Sequence, residues 1–330
     1  MLGLILGSIP SPSSGQLQLG PLRLTAYGLM IALGVIAAVD IARRRHTARG
    51  GARDDFSEIA LWAVIAGLLG ARAYHVLTDL DRFEGRWLDA FKIWEGGLGI
   101  PGGLLAGVLV GLWSARRHGL GNAYALDIVA PALPVAQAIG RWGNWWNQEL
   151  FGRPTDLPWG LRIDPVHRPD GYEDVGTYHP TFLYECLWNL ALAGFIVWLE
   201  RRTRGRLRPG SLFAIYVAGY GAGRFWVESL RIDPAQYLFG VRFNLLIAGL
   251  AVAGGLGWLV VAGRRLPPPG HAGTPGDGMS AQGPDESDRS DGPAGRTGEP
   301  GEQDGPGERT TGVLGADGDE PRAETRPWQP

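Results

Sequence analysis

Long apolar stretches alternate with polar connections over residues 1–266 of the chain, and every second connection is rich in arginine. Each stretch has about 20 residues, the length that an α-helix needs to cross the hydrocarbon core of a membrane. The pattern therefore predicts an all-α, polytopic membrane helical bundle of about seven transmembrane helices, with a small extracytoplasmic cap formed by the connection 145–178. The predicted spans are 21–42, 56–77, 97–115, 123–140, 180–199, 210–229 and 243–262.

The segment 267–330 differs from the rest of the chain in composition. It is rich in Gly, Pro and Ser and holds 13 acidic and 5 basic residues, a net charge of −8. A segment with so little apolar surface cannot offset the chain entropy that folding removes. We therefore divide the chain into an integral membrane domain, 1–266, with a net charge of +6, and a disordered acidic tail, 267–330.

Basic residues cluster in every second connection and indicate the orientation of the bundle. Arginine-rich connections lie on the cytoplasmic side of a membrane, so the amino terminus is predicted outside and the tail inside the cell. The apolar start has no basic segment before it, and we expect no signal-peptide cleavage. The clustered residues are Arg43, Arg44, Arg45, Arg49, Arg53, Arg116, Arg117, Arg201, Arg202, Arg204, Arg206, Arg208, Arg264 and Arg265.

Polar side chains interrupt the apolar pattern at the predicted outer ends of two spans. The first group lies in the segment GRWGNWWNQELFG, 140–152, which contains Arg141, Asn144 and Glu149. The second is the series Arg224, Glu228 and Arg231, whose i, i+4, i+7 spacing places it on one helical face. Charged groups at membrane depth are costly unless partnered, which makes them functional candidates.

Arginine in these positions indicates a phosphate ligand. Its planar fork binds phosphate through two hydrogen bonds, and a phosphate at the outer leaflet belongs most simply to a lipid headgroup. Glu149 and Glu228 would orient the guanidinium groups, and the amide of Asn144 suits an ester or hydroxyl oxygen. Salt bridges that merely tie helix ends together are the alternative explanation.

Other residues give weaker indications of function. Tyr27 lies near the outer end of the first span, where it would hydrogen-bond a lipid or act as an interface anchor. Cys186 is the single cysteine, so a disulfide within the chain is impossible. The six histidines show no metal-ligand spacing, and no nucleotide-binding glycine fingerprint occurs. We therefore expect no metal, no cofactor and no nucleic-acid partner.

Five segments together resemble the phosphatidylglycerol:prolipoprotein diacylglyceryl transferase family. The segment 140–152 resembles the family pattern G-R-x-G-N-aromatic-x-N-x-E. Four further segments match in the same order, and the resemblance covers about 21–266. They are AYGLM at 26–30, WEGGL at 94–98, HPTFLYE at 179–185 and GRFWVESLRIDPAQ at 223–236.

The resemblance implies a multi-pass enzyme of the bacterial plasma membrane. Its substrates would be phosphatidylglycerol, a membrane lipid, and a prolipoprotein signal peptide with a lipobox cysteine. The enzyme would move the diacylglyceryl group to the cysteine thiol and release glycerol phosphate. Arg141 would bind the lipid phosphate, and Gly152 matches another functional position that we assign to substrate binding. Arg231 is a further candidate for substrate binding, from the charged series that it forms with Arg224 and Glu228. The residues at the family's other functional positions are Tyr27, Asn144, Glu149, Arg224 and Glu228.

The chain departs from the family pattern at two positions. Pro101 occupies the place where family members often carry a histidine, so the usual candidate for the general base is absent. His75, near the outer end of the second span, is a candidate base, since histidine is the side chain that most often serves as a general base. Glu149, Glu228 and Tyr27 are the other candidates. Phe182 replaces the polar residue common in the HPT motif.

Two functions of other classes use the same residues. A lipid-binding transporter or flippase would hold an anionic headgroup with the same arginines and would move labelled lipid without forming a covalent product. A membrane scaffold would pair Arg141, Glu149, Arg224 and Glu228 entirely among themselves.

Overall fold

A computed structural model describes residues 7–19, 22–93, 96–204 and 206–264. The predicted tail, 267–330, lies outside the described residues, as do Trp94 and Glu95 of one family-like segment. Within the described part the chain is mainly helical. The helices are α1 Ala26–Thr47, α2 Asp55–Thr78, α3 Ile100–Arg117, α4 Asn122–Val129, α5 Ala132–Asn147, α6 Thr181–Thr203, α7 Ser211–Leu230 and α8 Phe243–Arg264.

Three small antiparallel hairpins accompany these helices in the described residues. In each of them two short strands pair with each other alone. The first hairpin precedes α1, and the other two lie in the connections between α5 and α6 and between α7 and α8. The pairs are β1 Gln16–Leu19 with β2 Leu22–Thr25, β3 Leu161–Arg162 with β4 Thr177–Tyr178, and β5 Tyr237–Leu238 with β6 Val241–Arg242.

Four helices of the described chain, α1, α2, α6 and α8, are long and apolar enough to cross a membrane. The bent pair α4 and α5 raises the number to five if it forms one span. The chain is thus a helical membrane protein, but the predicted count of seven is not confirmed. The segments that fall short include α7, whose apolar run is interrupted by Arg224 and Glu228.

The predicted span 123–140 is two helices that meet at an angle of 43°. Pro131 at this break has no N–H group, and its ring crowds the carbonyl four residues earlier, which belongs to Asp127. The guanidinium of Arg45 donates to this carbonyl at 3.2 Å and to the carbonyl of Ile128 at 3.0 Å. Arg45 therefore satisfies backbone acceptors near the break.

Helices α2 and α3 pack through glycines. A Cβ atom on Gly102 would lie 2.3 Å from the carbonyl oxygen of Gly70, which is too close for any side chain. Such contacts let helix backbones approach closely in a membrane. Gly102 therefore serves the packing of α3 on α2.

Arginines and carboxylates hold one end of the bundle together, where α1 and α6 end. Arg45 contacts the Glu200 carboxylate at 2.7 Å, and Arg49 contacts the same carboxylate. Asp127 accepts hydrogen bonds from the backbone N–H groups of Gly210 at 2.7 Å and Phe213 at 2.9 Å, at the start of α7. This end carries the arginine-rich connections, and their charges are partly paired.

The opposite end of the bundle carries a small cap made from the segment before β1 and the connection 148–180. Its core contains Phe151, Leu161, Ile163 and Tyr178, which are all buried. Burial raises the pKa of the Tyr178 phenol above its usual value. The predicted cap residues thus pack into one core together with Phe182 of α6.

Candidate active site

Four helix termini meet beneath the cap. Helices α5 and α7 end there, whereas α6 and α8 begin there. Because α5 packs on α6, α6 on α7 and α7 on α8, polar side chains near these termini come within reach of one another. The predicted outer connection begins later than expected, since α5 continues to Asn147 and carries Arg141 within the helix.

A single carboxylate joins the two arginines that the sequence analysis placed at this level. Glu185 Oε2 lies 2.7 Å from Arg141 Nε, and Glu185 Oε1 lies 3.4 Å from Arg224 Nη1. The Glu185 side chain is only 7% exposed. The guanidinium groups of α5 and α7 are therefore held on either side of one buried carboxylate from α6.

Glu228 is the centre of a second, deeper set of ion pairs. Its side chain is fully buried, and Oε2 lies 2.5 Å from Arg224 Nη2 and 3.7 Å from Arg231 Nη1. Oε1 accepts from Arg242 Nε at 3.0 Å and from the Asn244 amide at 3.2 Å. A buried carboxylate requires such partners, and Glu228 obtains them from α7, from β6 and from α8.

The predicted stripe of Arg224, Glu228 and Arg231 on one helical face is correct for its first two members only. Helix α7 ends at Leu230, and Arg231 has extended backbone angles. Its side chain still reaches Glu228 and also contacts Asp233 at 2.7 Å. The three residues thus form one cluster. Arg231 reaches it from the extended segment after α7 and not from the helical face that carries Arg224 and Glu228.

Glu149 has different partners from those expected. Its Oε1 accepts from the side-chain amides of Asn144 at 2.8 Å and Asn147 at 3.2 Å. The sequence analysis expected Glu149 to orient an arginine, but Glu185 has that position. Among the described contacts, Arg141 is linked to Glu149 through Asn144, whose Oδ1 lies 3.5 Å from Arg141 Nη1.

The backbone on both sides of Glu149 adopts a left-handed conformation. Gln148 has φ of 50° and Leu150 has φ of 60°. Residues with side chains rarely adopt such angles, and the cost is about 1–3 kcal/mol each. The side chain of Gln148 is held by Asp164 at 2.6 Å, and the carbonyl of Leu150 accepts from Thr181 Oγ1 at 2.5 Å. The cap and α6 therefore fix the position of Glu149.

Tyr27 lies at the same end of the bundle. It is near the start of α1 and packs against α5, where a Cβ on Gly143 would lie 2.5 Å from its ring. Its phenol is close enough to Arg141 to interact electrostatically. The side chain is 37% exposed. Tyr27 thus joins the group around Arg141.

Gly152 connects the cap to the end of α7. It forms an isolated antiparallel bridge with Arg231, and its N–H donates to the carbonyl of His179 at 3.0 Å. A Cβ here would lie 2.8 Å from His179 Cβ and 3.2 Å from Thr181 Cγ2. Only glycine fits this position without a shift of neighbouring backbone.

Gly152→Ala is expected to destabilise the protein by about 1–3 kcal/mol through overpacking and to lower activity. Gly176→Ala in the same cap is the matched control, since a Cβ there meets nothing within 4 Å. Apparent melting temperatures of the two variants in detergent measure the difference. Equal melting temperatures would show that the cap tolerates the methyl group.

His75 is not brought to this cluster by its described contacts. Its Nδ1 lies 2.9 Å from Asp79, its ring packs on Phe83, and Gly97 lies against its Nε2. These residues belong to the end of α2 and to the connection before α3. Its proposed part as a base therefore has no geometric support.

His179 is closer to the cluster, next to Gly152. Its Nδ1 lies 3.1 Å from the Tyr184 hydroxyl. Burial, and then the charge of Arg153, lower the pKa of His179 below its usual value. The imidazole is therefore neutral at pH 7.

Four residues of the cluster were not named as site residues from the sequence: Glu185, Asp233, Arg242 and Asn244. Glu185 was quoted as part of a motif but not named as a site residue, although a carboxylate inside an apolar span is a signal of function. Arg242 and Asn244 flank the start of α8, and nothing in the local pattern indicates that they reach Glu228.

Two cavities lie at the other end of the bundle. One of about 350 Å³ is lined by residues that include Arg202, Arg204 and Arg206, and one of about 190 Å³ is lined by residues that include Arg49 and Glu200. Glu185 and Thr203 are near opposite ends of α6, about 27 Å apart by helical rise, so these cavities do not belong to the cluster. In the described ranges no three metal-ligating side chains converge.

The fold and the cluster define a multi-pass helical membrane protein with a buried arginine–carboxylate centre. A family model described as prolipoprotein diacylglyceryl transferase matches residues 15–261. Phosphatidylglycerol–prolipoprotein diacylglyceryl transferase 2 of Streptomyces coelicolor is 50% identical over 79% of this chain and 83% of its own length. The similarly named proteins of Cutibacterium acnes and Frankia alni are 49% and 48% identical, covering 78% and 80% of this chain and 88% and 70% of their own lengths. The chain belongs to the prolipoprotein diacylglyceryl transferase family.

Proposed function

We propose that this protein transfers the diacylglyceryl group of phosphatidylglycerol to the lipobox cysteine of a prolipoprotein. The thiol sulfur forms a thioether bond to the glyceryl carbon, and the bond from that carbon to the phosphate oxygen breaks. Glycerol phosphate leaves with the electron pair. The observation that carries the proposal is the convergence of Arg141 and Arg224 on Glu185, in a chain of this family.

The two arginines bind the phosphate of the lipid in this proposal. Each guanidinium has a planar set of donors that matches phosphate oxygens, and Glu185 holds both at a fixed separation. As the carbon–oxygen bond breaks, negative charge grows on the leaving phosphate. Fixed donors stabilise this charge without reorganising, which is the main source of rate acceleration in such a site.

The remaining residues bind or support the lipid around this centre. Tyr27 and Asn144 contact substrate oxygens near Arg141, and Glu149 acts on the acceptor side. Glu228 and Arg231 hold Arg224 in place, since they share its ion-pair network. The bridge between Gly152 and Arg231 holds the cap against the end of α7, next to these residues.

The orientation proposed for the bundle places this cluster at the outer leaflet of the bacterial plasma membrane. Arginine-rich connections follow α1, α3 and α6, at the end opposite the cluster, as the positive-inside rule requires of a cytoplasmic face. Seven crossings follow if α3 and α7 also span the membrane and α4 with α5 form one broken span. The amino terminus is then outside and the tail, 267–330, inside the cell.

The test uses purified protein, phosphatidylglycerol vesicles and a synthetic lipobox peptide. Mass spectrometry of the peptide should show a gain of one diacylglyceryl group, and a peptide with serine in place of the cysteine should show none. A fluorescent lipid in the same vesicles monitors movement between leaflets. Lipid movement without a modified peptide would replace the proposal with a transporter.

Deletion of residues after Arg265 is expected to leave the transfer rate within about twofold. The family model ends at residue 261, and the residues of the cluster all lie before the deletion. The full-length protein, purified in parallel and shown to be equally inserted, is the reference. A severe loss of activity in the inserted, truncated protein would show that the tail takes part in the reaction.

A further inference from the structure

The proposed reaction needs a group that removes the proton from the acceptor thiol. An unperturbed cysteine thiol has a pKa of about 8.5, so it is mostly protonated at neutral pH, whereas the thiolate is the nucleophile. We infer that Glu149 is the proton acceptor. This inference rests on the proposed transferase function.

Glu149 is the one carboxylate of the cluster without an arginine partner among the described residues. Glu185, Glu228 and Asp233 each contact at least two arginines. A carboxylate that must neutralise guanidinium groups cannot give up its charge without leaving them unpaired. Glu149 can, because its described partners are the neutral amides of Asn144 and Asn147.

The geometry leaves one oxygen of Glu149 available. Both amide hydrogen bonds end on Oε1, at 2.8 and 3.2 Å. Glu149 is exposed just after the end of α5, and both of its described hydrogen bonds end on Oε1, so a group that arrives beside the cluster can approach Oε2. The left-handed angles of Gln148 and Leu150 and the contacts that fix them hold this carboxylate in position.

The charged and titratable groups around Glu149 come from several elements. Arg141 lies on the far side of Asn144, on α5, and Glu185 of α6 pairs with Arg141. Tyr27 of α1 packs on the same end of α5. A phosphate bound by Arg141 would therefore lie next to the amides that hold Glu149, which places the lipid and the proton acceptor side by side.

The step balances in protons and electrons. The S–H bond breaks as Oε2 of Glu149 takes the proton, the sulfur pair forms the bond to the glyceryl carbon, and the carbon–oxygen pair leaves on the phosphate. Glycerol phosphate then takes the proton from the Glu149 carboxyl group, since its phosphate has gained a basic oxygen. The carboxylate is restored for the next turnover.

The test compares two acceptor peptides, kept reduced, that differ in one atom: a lipobox cysteine or a selenocysteine. The selenol is already ionised at neutral pH and needs no base. For Glu149→Gln the rate with the cysteine peptide should fall by about 100-fold or more, the usual effect of losing a general base. The rate with the selenocysteine peptide should stay within about tenfold of the unmodified enzyme.

The pH profile gives a second readout. With the cysteine peptide, the Glu149→Gln rate should rise about tenfold per pH unit up to the thiol pKa of about 8.5, because only spontaneous thiolate reacts. Glu149→Asp keeps a carboxylate and should recover part of the rate. Glu173→Gln, an exposed carboxylate of the cap, is the control and should match the unmodified enzyme with both peptides.

Two other outcomes decide against the inference, and a third decides against the function on which it rests. Equal losses with both peptides would give Glu149 a role in lipid binding or structure. Selenocysteine rescue of His179→Gln, but not of Glu149→Gln, would move the proton acceptor to His179. If the unmodified enzyme modifies neither peptide, the proposed function itself fails, and that result differs from all the others.

Discussion

Arg141→Ala is expected to lower the rate of diacylglyceryl transfer by 10²–10³, about 3–4 kcal/mol of transition-state stabilisation. The guanidinium is held by Glu185 and lies beside Asn144, so its donors are already oriented before the lipid binds. Alanine removes them and also leaves Glu185 with Arg224 as its remaining partner. The loss should appear in kcat and not only in KM, because the charge it stabilises grows during bond breaking.

The measurement is the initial rate of peptide modification with phosphatidylglycerol in excess. Arg141→Lys keeps the charge but loses the planar fork, and it should recover only a small part of the rate. Arg44→Ala is the matched control, because Arg44 pairs with Asp40 on the surface and is 80% exposed. A rate for Arg141→Ala within threefold of the Arg44→Ala rate would remove Arg141 from the reaction.

The sequence was sufficient to predict that polar groups from separate helices meet at one end of the bundle. Apolar spans that alternate in direction bring the end of one helix beside the start of the next. Arg141 and Arg224 lie near the ends of two spans that run the same way, so they had to share one level. These charged groups also meet because an unpaired charge at membrane depth is costly and is stabilised by a partner.

The identity of those partners could not be predicted in the same way. Which carboxylate reaches Arg141 depends on how α5 and α6 are rotated about their axes, and the sequence spacing does not fix that rotation. Glu149 is closer to Arg141 along the chain than Glu185 is. However, α5 ends between Arg141 and Glu149, and the side chain of Glu149 accepts hydrogen bonds from Asn144 and Asn147 instead. Glu185 takes that position because α6 packs on α5 and brings the Glu185 carboxylate to 2.7 Å from Arg141 Nε.

The sequence does indicate the break in the predicted span 123–140, but the mean hydropathy of the stretch does not show it. Pro131 and Pro134 lie close together in the stretch 123–140, and a proline inside a helix removes a backbone hydrogen bond. A twenty-residue apolar window treats them as ordinary residues. The arginine that compensates, Arg45, comes from another helix and is visible only in the folded chain.

The carboxylates of Glu185 and Glu228 differ in burial and in the number of arginines that they contact. Glu185 serves two arginines that each retain some exposure, 19% for Arg141 and 16% for Arg224. Glu228 is 0% exposed and holds three arginines from α7, from the segment after it and from β6. Its loss therefore affects the fold as well as the site.

Glu228→Gln is expected to lower the free energy of unfolding by about 3–5 kcal/mol, the usual cost of removing one partner of a buried ion pair. The amide that replaces the carboxylate oxygen presents hydrogens to Arg224, Arg231 and Arg242, which are all donors. Asp233 is then the nearest carboxylate for two of them. Water cannot compensate, because the side chain is fully buried.

The measurement is the apparent melting temperature in detergent, together with the transfer rate at a temperature where the variant is still folded. The melting temperature should fall by several degrees, and the rate should fall as well because Arg224 loses its closest partner. Asp40→Asn, which breaks an exposed pair with Arg44, is the control and should cost less than about 1 kcal/mol. If Glu228→Gln has the same melting temperature as Asp40→Asn and keeps full activity, Glu228 does not hold Arg224 in place. The other carboxylates would then be sufficient to hold the arginines.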